Sequence, residues 1–483
     1  MTNTASPGSS ALVDALISEF GNDLAVPAEA LPRYSGDFTG DYHGTPLAVV
    51  RPRTTEEVSS VVRWCGARKV PIVPQGGNTG LVGAAIPSGA GNELVLSLER
   101  MKAIRKIDTL NGVAIVEAGC VLADFKASVE AEGAFFPLSI GSEGSCQIGG
   151  TIATNAGGIN VVRYGMARNQ ILGIEAVLPD GSVFKHLRGL QKDNTGYDLK
   201  QLFIGSEGTL GIVTAAAVRL LPKITQLETL FVSTSSIEST VELFRRFRAE
   251  AGDLITAFEL MMGSAVDRVC ETEAGVRNPL ESSYPSYAIV ELSSAGGPPL
   301  RPWLKSALAH MIEDGIILDG AIAHGADQTA NIWALRERIV ESQARLGPYL
   351  RTDISTPVSA VAEFIRRATQ LVEKISPGAL PLAYGHVGDG NLHFNVMRSE
   401  TLPIDAFLPL ISEIEEALFL LVDELNGSIS AEHGIGIAKR HAFESRLDPV
   451  ARRLMTGLKQ MLDPDNLLNP GRILPETWCK NVI

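Results

Sequence analysis

The stretch Ala383–Val396, A-Y-G-H-V-G-D-G-N-L-H-F-N-V, constrains the fold more than any other part of the chain. Its residues Asp389 and Gly390 predict a tight type I′ turn, because both central residues of that turn need positive φ and the Asp-Gly pair tolerates it. A two-residue turn there places His386 opposite His393 in an antiparallel hairpin. Side chains alternate across a strand, so one face of this hairpin is expected to carry Tyr384, His386, Asn391, His393 and Asn395.

Two histidines that face each other on a hairpin have Cβ atoms about 5 Å apart, close enough for both imidazoles to bind one metal ion. The sequence therefore predicts a divalent-metal site at His386 and His393. The alternative is that both are structural, hydrogen-bonded histidines, which would be the more usual interpretation for a single one.

The size and charge of the chain limit its partners. At 483 residues it is long enough for two or three domains, and its net charge of −13 argues against a nucleic-acid partner and against an anionic membrane surface. No apolar run approaches the about 20 residues of a membrane span. The N-terminal residues show no targeting pattern, and the five cysteines form no CxxC pair, so we expect free thiols and a cytoplasmic protein.

Three glycine-rich blocks, Pro74–Gly80, Gly141–Gly158 and Gly205–Val213, lie in the first half of the chain. The first follows a helix predicted from a capping box, Thr54 with Glu57, and then a short strand. Backbone N–H groups in such a loop can point toward a phosphate, and glycines permit its close approach. Each block alone is a weak signal, but three together predict loops around one extended, phosphate-bearing cofactor. The chain lacks G-x-G-x-x-G and G-x-x-x-x-G-K-[ST], which disfavours a Rossmann fold and a P-loop.

Taken together, these motifs resemble the FAD-dependent 2-hydroxy-acid dehydrogenases of the vanillyl-alcohol oxidase superfamily. The similarity runs from about Arg51 to Leu474. It is greatest to the D-2-hydroxyglutarate branch, with D-lactate dehydrogenases and the glycolate oxidase flavoprotein subunit as near relatives. The segments that carry it, besides the hairpin, are P-Q-G-G-N-T-G-L-V-G at 74–83, G-S-C-Q-I-G-G-T-I-A-T-N-A-G-G at 144–158, R-Y-G at 163–165, I-G-S-E-G-T-L-G-I-V-T at 204–214 and A-E-H-G at 431–434.

The resemblance implies an α+β fold in three parts. Residues 1–224 are expected to form an FAD-binding domain of the vanillyl-alcohol oxidase type, built from two α+β subdomains. Residues 225–425 are expected to form a substrate-binding α+β domain, in which helices cover an antiparallel sheet. Residues 426–483 are expected to form a C-terminal helical segment that packs back at the flavin.

The glycine-rich blocks are the expected flavin contacts. No histidine stands in the first block at the position where relatives attach FAD covalently, so the resemblance implies non-covalent FAD. The implied cofactor-binding residues are Pro74, Gln75, Gly76, Gly77, Asn78, Thr79, Gly80, Gly83, Gly141, Ser142, Ser145, Gly149, Gly150, Thr151, Ala153, Thr154, Asn155, Gly157, Gly158, Tyr164, Gly165, Glu207, Gly211, Ile212, Val213 and Asn469.

The resemblance also implies a metal site and a catalytic base. It makes His386 and His393 two metal ligands, Glu432 the third ligand and His433 the general base beside the flavin. Two histidines and one carboxylate leave open coordination positions, the pattern of a catalytic site. The expected ion is zinc, with manganese as the alternative.

Three further residues are expected to bind the substrate. Arg336 matches the family's substrate-carboxylate arginine, and Arg351 and Asn391 complete the set. The chain departs from the family pattern in two places, with Val340 where the dehydrogenase has threonine and Arg351 where it has lysine. An arginine can hold a carboxylate through two hydrogen bonds, so Arg351 still suits a diacid. The alternative interpretation of Arg336 and Arg351 is solvated surface charge.

The expected reaction oxidises a D-2-hydroxy acid, such as D-2-hydroxyglutarate or D-lactate, to the 2-oxo acid, with hydride transfer from Cα to FAD and His433 as the base. The expected electron acceptor is an electron-transfer flavoprotein or a quinone, and a homodimer is considered. Two alternatives stay open. One is a non-catalytic flavoprotein or electron-transfer subunit of a glycolate-oxidase-like complex, and the other is a redox-neutral flavin-dependent synthase of the same superfamily.

Overall fold

The computed structural model describes residues 7–26, 28–345 and 347–479. The N-terminal residues 1–6, where the sequence predicts no targeting segment, lie outside the described residues. The chain forms two compact units. Among the described residues, unit 1 comprises those up to Ala156, Met166–Pro222 and those from Glu432 onward, and unit 2 comprises Gly157–Gly165 and Lys223–Ala431.

The two units differ from the three predicted domains. The predicted C-terminal segment 426–483 is divided, with residues up to Ala431 in unit 2 and those from Glu432 onward in unit 1. A second difference concerns a short internal segment. Gly157–Gly165 falls in the first predicted domain but is grouped with unit 2. Its anchor is Arg163, whose Nη1 donates to the carbonyl oxygen of Ser293 at 2.7 Å. Ser293 lies on a long central strand of unit 2, and such a pairing between distant residues leaves no local signal in the sequence.

Unit 1 contains two larger sheets and one small strand pair. Its three-stranded parallel sheet has the strand order Ala48–Val50, Leu94–Ser97 and Ile72–Gln75. Its five-stranded antiparallel sheet has the order Ile104–Asp108, Val113–Glu117, Ile212–Arg219, Ile171–Val177 and Val183–His186. The antiparallel pair consists of Ala134–Phe135 and Leu221–Pro222. The α-helices of unit 1 are Pro7–Phe20, Thr55–Arg68, Leu122–Ala131, Ile148–Ala153, Ala167–Gln170, Arg440–Arg446, Pro449–Leu462 and Glu476–Cys479.

The helix before the first glycine block begins as its sequence predicts. Thr54 caps it, with its side-chain oxygen accepting from the backbone N of Glu57 at 3.2 Å. The Glu57 carboxylate accepts from the N of Arg53, one residue before the cap. The apolar positions of this helix, spaced i, i+3, i+4 and i+7, are all buried: Val58, Val61, Val62 and Cys65. This helix is followed by the parallel strand Ile72–Gln75. The first glycine block starts at the carboxyl end of that strand, where loops of α/β layers commonly bind ligands.

The C-terminal segment returns to the parallel sheet. Leu467 and Leu468 are buried in the same hydrophobic cluster as Ile72. The N of Ile72 donates to the carbonyl oxygen of Leu467 at 2.8 Å, and the N of Asn469 donates to that of Ile72 at 2.8 Å. These bonds fix the backbone at Asn469, one of the predicted cofactor residues.

Unit 2 is built on a seven-stranded antiparallel sheet. Its strand order is Asp319–Ile322, Gln226–Thr234, Ser286–Ser294, Ile255–Met262, Leu380–His386, Asn391–Met397 and Ile354–Ser355. The α-helices of the unit are Val161–Tyr164, Ile237–Ala251, Gly263–Thr272, Leu300–Glu313, Ala326–Glu337, Ile339–Ala344, Val361–Ile375, Ile404–Phe407 and Ile411–Glu424. A sheet with helices packed on it agrees with the predicted α+β class.

The predicted hairpin exists, but its register differs from the prediction. Its strands are Leu380–His386 and Asn391–Met397, and Tyr384 lies opposite His393. The prediction that His386 lies opposite His393 is therefore wrong by two residues.

The turn explains the difference. A type I′ turn needs positive φ at both Asp389 and Gly390, and only Gly390 has it, with φ +85°. The two strands are joined by the four residues 387–390, whereas the predicted turn has two. Because a shift of two residues preserves the alternation of side chains, the predicted face is retained, and the ring centres of His386 and His393 lie 6.2 Å apart.

Within the described parts of the chain, no helix combines the length and the apolar character that crossing a membrane requires.

Candidate active site

The three predicted metal ligands lie close together. One ligand atom from each of His386, His393 and Glu432 lies within 4.8 Å of the other two. Glu432 directly follows Ala431, the last residue of unit 2. His386 is buried and the other two side chains are half-buried. Two imidazoles and one carboxylate form a donor set that suits zinc or a similar divalent cation.

A buried carboxylate contacts His386. Nδ1 of His386 is hydrogen-bonded to Oε1 of Glu259, which is fully buried and lies directly opposite His386 on the neighbouring strand. With Nδ1 engaged in this way, a metal ion would bind through Nε2, and metal-binding histidines in proteins are commonly oriented by such a carboxylate.

Sequence reasoning missed Glu259. The available signal was one charged residue inside an apolar run, I-T-A-F-E-L-M-M at 255–262. A fully buried carboxylate is rare unless it is paired. Burial alone would raise the pKa of Glu259, but the neighbouring His386 and Arg336 hold that pKa below its ordinary value.

Arg336 shares the same carboxylate. Its Nε donates to Oε2 of Glu259 at 2.7 Å, and its guanidinium carbon lies 4.6 Å from the centre of the Tyr384 ring. Its side chain is only 12% exposed, unlike a solvated surface charge. Nη1 and Nη2 donate to no acceptor among the described residues, so the geometry presents two parallel donors of the kind that bind a carboxylate.

The other two predicted substrate residues have different surroundings. Arg351 is exposed, and its guanidinium carbon lies 5.9 Å from the ring centre of Tyr349. Asn391 is buried, and its Nδ2 donates to Oδ1 of Asp353 and to the carbonyl oxygen of Ile354, both at 3.0 Å. Its Oδ1 has no hydrogen-bond partner among the described residues. A buried amide oxygen in this state suits a ligand that donates a hydrogen bond, such as a hydroxyl group.

In unit 1, the first two glycine blocks pack directly on each other. A Cβ on Gly77 would lie 2.1 Å from the carbonyl oxygen of Ser145, and a Cβ on Gly76 would lie 3.5 Å from the N of Gly150. The buried Oε1 of Gln147, which the sequence analysis did not select, has no partner among the described residues. A close glycine cradle with an unpaired buried acceptor fits a bound dinucleotide that carries hydroxyl and amino groups.

Four predicted cofactor residues have left-handed backbone conformations. Their φ angles are +56° at Asn78, +50° at Asn155, +50° at Glu207 and +47° at Asn469. Such angles are uncommon outside glycine and persist where the surrounding structure compensates for their cost, which is typical of ligand sites.

Glu207 anchors the segment that follows the predicted base. Its carboxylate accepts from the N of Ile435 at 2.6 Å and from the N of Gly436 at 2.8 Å. Its carbonyl oxygen accepts from Nδ2 of Asn469 at 2.7 Å, and burial raises the pKa of its carboxyl group. The side chain predicted as a flavin contact thus holds the loop that begins with Glu432 and His433.

Two family profiles match the chain. The one described as FAD binding domain matches residues 46–186, and the one described as FAD linked oxidases, C-terminal domain, matches residues 225–473.

The chain is also similar to D-2-hydroxyglutarate dehydrogenases over most of its length. It is 37% identical over 468 residues to one from Stutzerimonas stutzeri, a match that covers 96% of this chain and 98% of that protein. It is 38% identical over 456 residues to the mitochondrial enzyme of Bos taurus, with 94% and 81% covered. It is 36% identical over 453 residues to the mitochondrial enzyme of Arabidopsis thaliana, with 94% and 79% covered.

Two solved enzyme structures share the fold. A p-cresol methylhydroxylase with substrate bound has a TM-score of 0.74 at 18% identity, and a 4-ethylphenol oxidase from Gulosibacter chungangensis has 0.71 at 17%, each with 99% of both chains covered. At these identities the likeness concerns the fold alone. The predicted α+β fold of the vanillyl-alcohol oxidase type is confirmed.

We expect Gly77→Ala to lower the FAD content of the purified protein. The added Cβ would lie 2.1 Å from the oxygen of Ser145, so the two glycine blocks must separate. The ratio of flavin to protein absorbance measures the effect. Gly89→Ala is the matched control, because no atom lies within 4 Å of its added Cβ. Full FAD occupancy in Gly77→Ala would contradict a flavin role for this cradle.

Proposed function

The chain belongs to the family of FAD-linked oxidases, and on that premise we propose that it is a divalent-metal-dependent dehydrogenase that oxidises a D-2-hydroxy acid to the 2-oxo acid. One observation carries the proposal. A single buried carboxylate, Glu259, joins His386 of the candidate metal cluster to Arg336, whose terminal nitrogens take no part in that bond. A metal ligand and a carboxylate-binding arginine held together suit a substrate with adjacent hydroxyl and carboxylate groups.

The chain's own residues divide the binding of the substrate. Nη1 and Nη2 of Arg336 hold a carboxylate, and Oδ1 of Asn391 accepts a hydrogen bond from a donor on the substrate. His386, His393 and Glu432 would hold the cation. A divalent cation there, when bound, supplies a Lewis acid that lowers the pKa of the substrate hydroxyl.

Oxidation removes the hydroxyl proton and the Cα hydride and leaves a carbonyl group. A ring nitrogen of His433 takes the proton, and the hydrogen bonds from Ile435 and Gly436 to Glu207 hold its loop in place. FAD, when bound, supplies the two-electron acceptor for the hydride.

We propose D-2-hydroxyglutarate as the first substrate to test and D-lactate as the second. The names of the relatives at 36–38% identity support the first. The exposed guanidinium of Arg351 supports a diacid as well, because Arg351 lies beside the same strand as Asn391. Its neighbour Leu350 forms a β-bridge with Val396 of that strand.

An electron-transfer flavoprotein or a quinone is the proposed acceptor, and the cytoplasm is the proposed location. Four described cysteines are unpaired, as expected in a reducing compartment: Cys65, Cys120, Cys146 and Cys270. Burial raises the pKa of Cys65 to about 12 and the pKa values of Cys120 and Cys146 to about 11, so these thiols are poor nucleophiles near neutral pH.

The non-catalytic subunit and the redox-neutral synthase are less well supported. A subunit without catalysis has no need for two histidines, a glutamate and the adjacent base His433. A synthase would require a basic surface for lipid membranes, which a chain with a net charge of −13 does not favour.

The substrate test is anaerobic. Mixed with FAD-loaded protein, D-2-hydroxyglutarate or D-lactate should bleach the flavin absorbance, and the L enantiomers should not. A wider panel of 2-hydroxy acids, compared by rate of bleaching, ranks the substrates. If none of the acids bleaches the flavin, the dehydrogenase proposal fails and the subunit interpretation replaces it.

We expect His433→Asn to keep FAD bound and to slow flavin reduction by the D-acid about 10²- to 10⁴-fold, because the proton acceptor is lost. Stopped-flow absorbance measures the rate. His441→Asn is the matched control, since His441 is an exposed histidine on the same C-terminal stretch. Near-normal bleaching in His433→Asn would exclude His433 as the base.

A further inference from the structure

We propose that Glu259 is a positioning residue that holds the metal ligand His386 and the substrate arginine Arg336 with one carboxylate. The inference rests on the proposed function, because it assigns those two roles to His386 and Arg336. It concerns a residue outside the predicted site, one that touches neither the substrate nor the cation.

The two oxygens of Glu259 are divided between the two partners. Oε1 is hydrogen-bonded to Nδ1 of His386, and Oε2 accepts from Nε of Arg336 at 2.7 Å. The strand pairing fixes this arrangement. Glu259 on the strand Ile255–Met262 lies directly opposite His386 on the strand Leu380–His386. Glu259 uses only Nδ1 of the histidine and Nε of the arginine.

Attachment of the helix that carries Arg336 does not depend on Glu259 alone. The helix Ala326–Glu337 has a second bond to the sheet, in which Nε1 of Trp333 donates to Oε1 of Glu291 at 2.8 Å. Glu291 is also buried, and its Oε1 accepts from Oγ1 of Thr229 at 2.8 Å. Glu291 thus serves to anchor the helix, whereas Glu259 sets the direction of two functional side chains.

This arrangement links two binding events. The Glu259 carboxylate is hydrogen-bonded to both Arg336 and His386. A movement of the Arg336 guanidinium therefore shifts the carboxylate that sets the plane of the His386 imidazole. Loss of the carboxylate should therefore weaken metal binding and substrate binding together. Loss of a carboxylate that serves only the packing should lower stability and leave both affinities in place.

The test measures zinc binding without turnover. FAD-loaded protein is freed of metal with a chelator and titrated with Zn²⁺ in a calorimeter. Glu259→Gln should weaken Zn²⁺ affinity about 10- to 100-fold, the usual effect of removing a carboxylate that orients a metal-binding histidine. It should also raise KM for the D-acid at saturating zinc more than it lowers kcat. Glu291→Gln, which removes a buried carboxylate from the adjacent strand, should leave Zn²⁺ affinity within about twofold.

A second variant covers the case in which Glu259→Gln does not fold. Glu259→Asp keeps the charge but is one methylene shorter, so it cannot reach both partners, and its Zn²⁺ affinity should also fall. Unchanged Zn²⁺ affinity in the folded Glu259 variants, with affinity lost in His386→Ala, would overturn the positioning role and leave the proposed function standing. Absence of Zn²⁺ binding in the unaltered protein would overturn the metal site and the positioning role together.

Discussion

The pairing of Glu259 with His386 and Arg336 is the interaction on which the candidate site depends. An unpaired carboxylate at zero exposure costs several kcal/mol, so the two partners of Glu259 offset the cost of burying its charge. One partner comes from the hairpin and the other from the helix Ala326–Glu337. The same carboxylate therefore contacts side chains from two other elements of unit 2 and gives His386 and Arg336 defined orientations.

Unit 1 depends on a different constraint, the close contact of backbones at glycines. Gly77 packs so closely on the carbonyl oxygen of Ser145 that no side chain would fit at this position. In a second long-range contact of unit 1, the Glu207 carboxylate accepts hydrogen bonds from the backbone N–H groups of Ile435 and Gly436. Both contacts bring together segments that are far apart in sequence. A loop satisfied by a buried carboxylate is held rigidly, which is what a loop carrying a proposed base requires.

Local sequence patterns predicted the parts of this protein that local physics determines. The hairpin, its polar face and the capped helix Thr55–Arg68 follow from alternation, turn chemistry and capping. The predicted hairpin register was wrong by two residues because the strands are joined by the four residues 387–390 and not by a tight Asp-Gly turn. The α+β fold and the flavin family came from the resemblance of whole motifs, and the comparisons bear them out.

Glu259, Gln147 and the placement of Gly157–Gly165 could not be predicted in this way. Glu259 and His386 are 127 residues apart, and Arg163 and Ser293 are 130 apart, so no periodicity relates them. What the sequence did offer was a lone carboxylate in an apolar strand. Such a residue needs a partner, but only the topology of the sheet shows which one.

The central claim is that the cluster of His386, His393 and Glu432 binds a divalent cation that the oxidation requires. The most direct measurement is anaerobic flavin reduction by D-2-hydroxyglutarate, or by the fastest D-2-hydroxy acid, in protein treated with a chelator and analysed for metal content by mass spectrometry. Our account predicts that bleaching is lost with the metal and returns when zinc or manganese is added. Undiminished bleaching by protein that contains no detectable metal would contradict it.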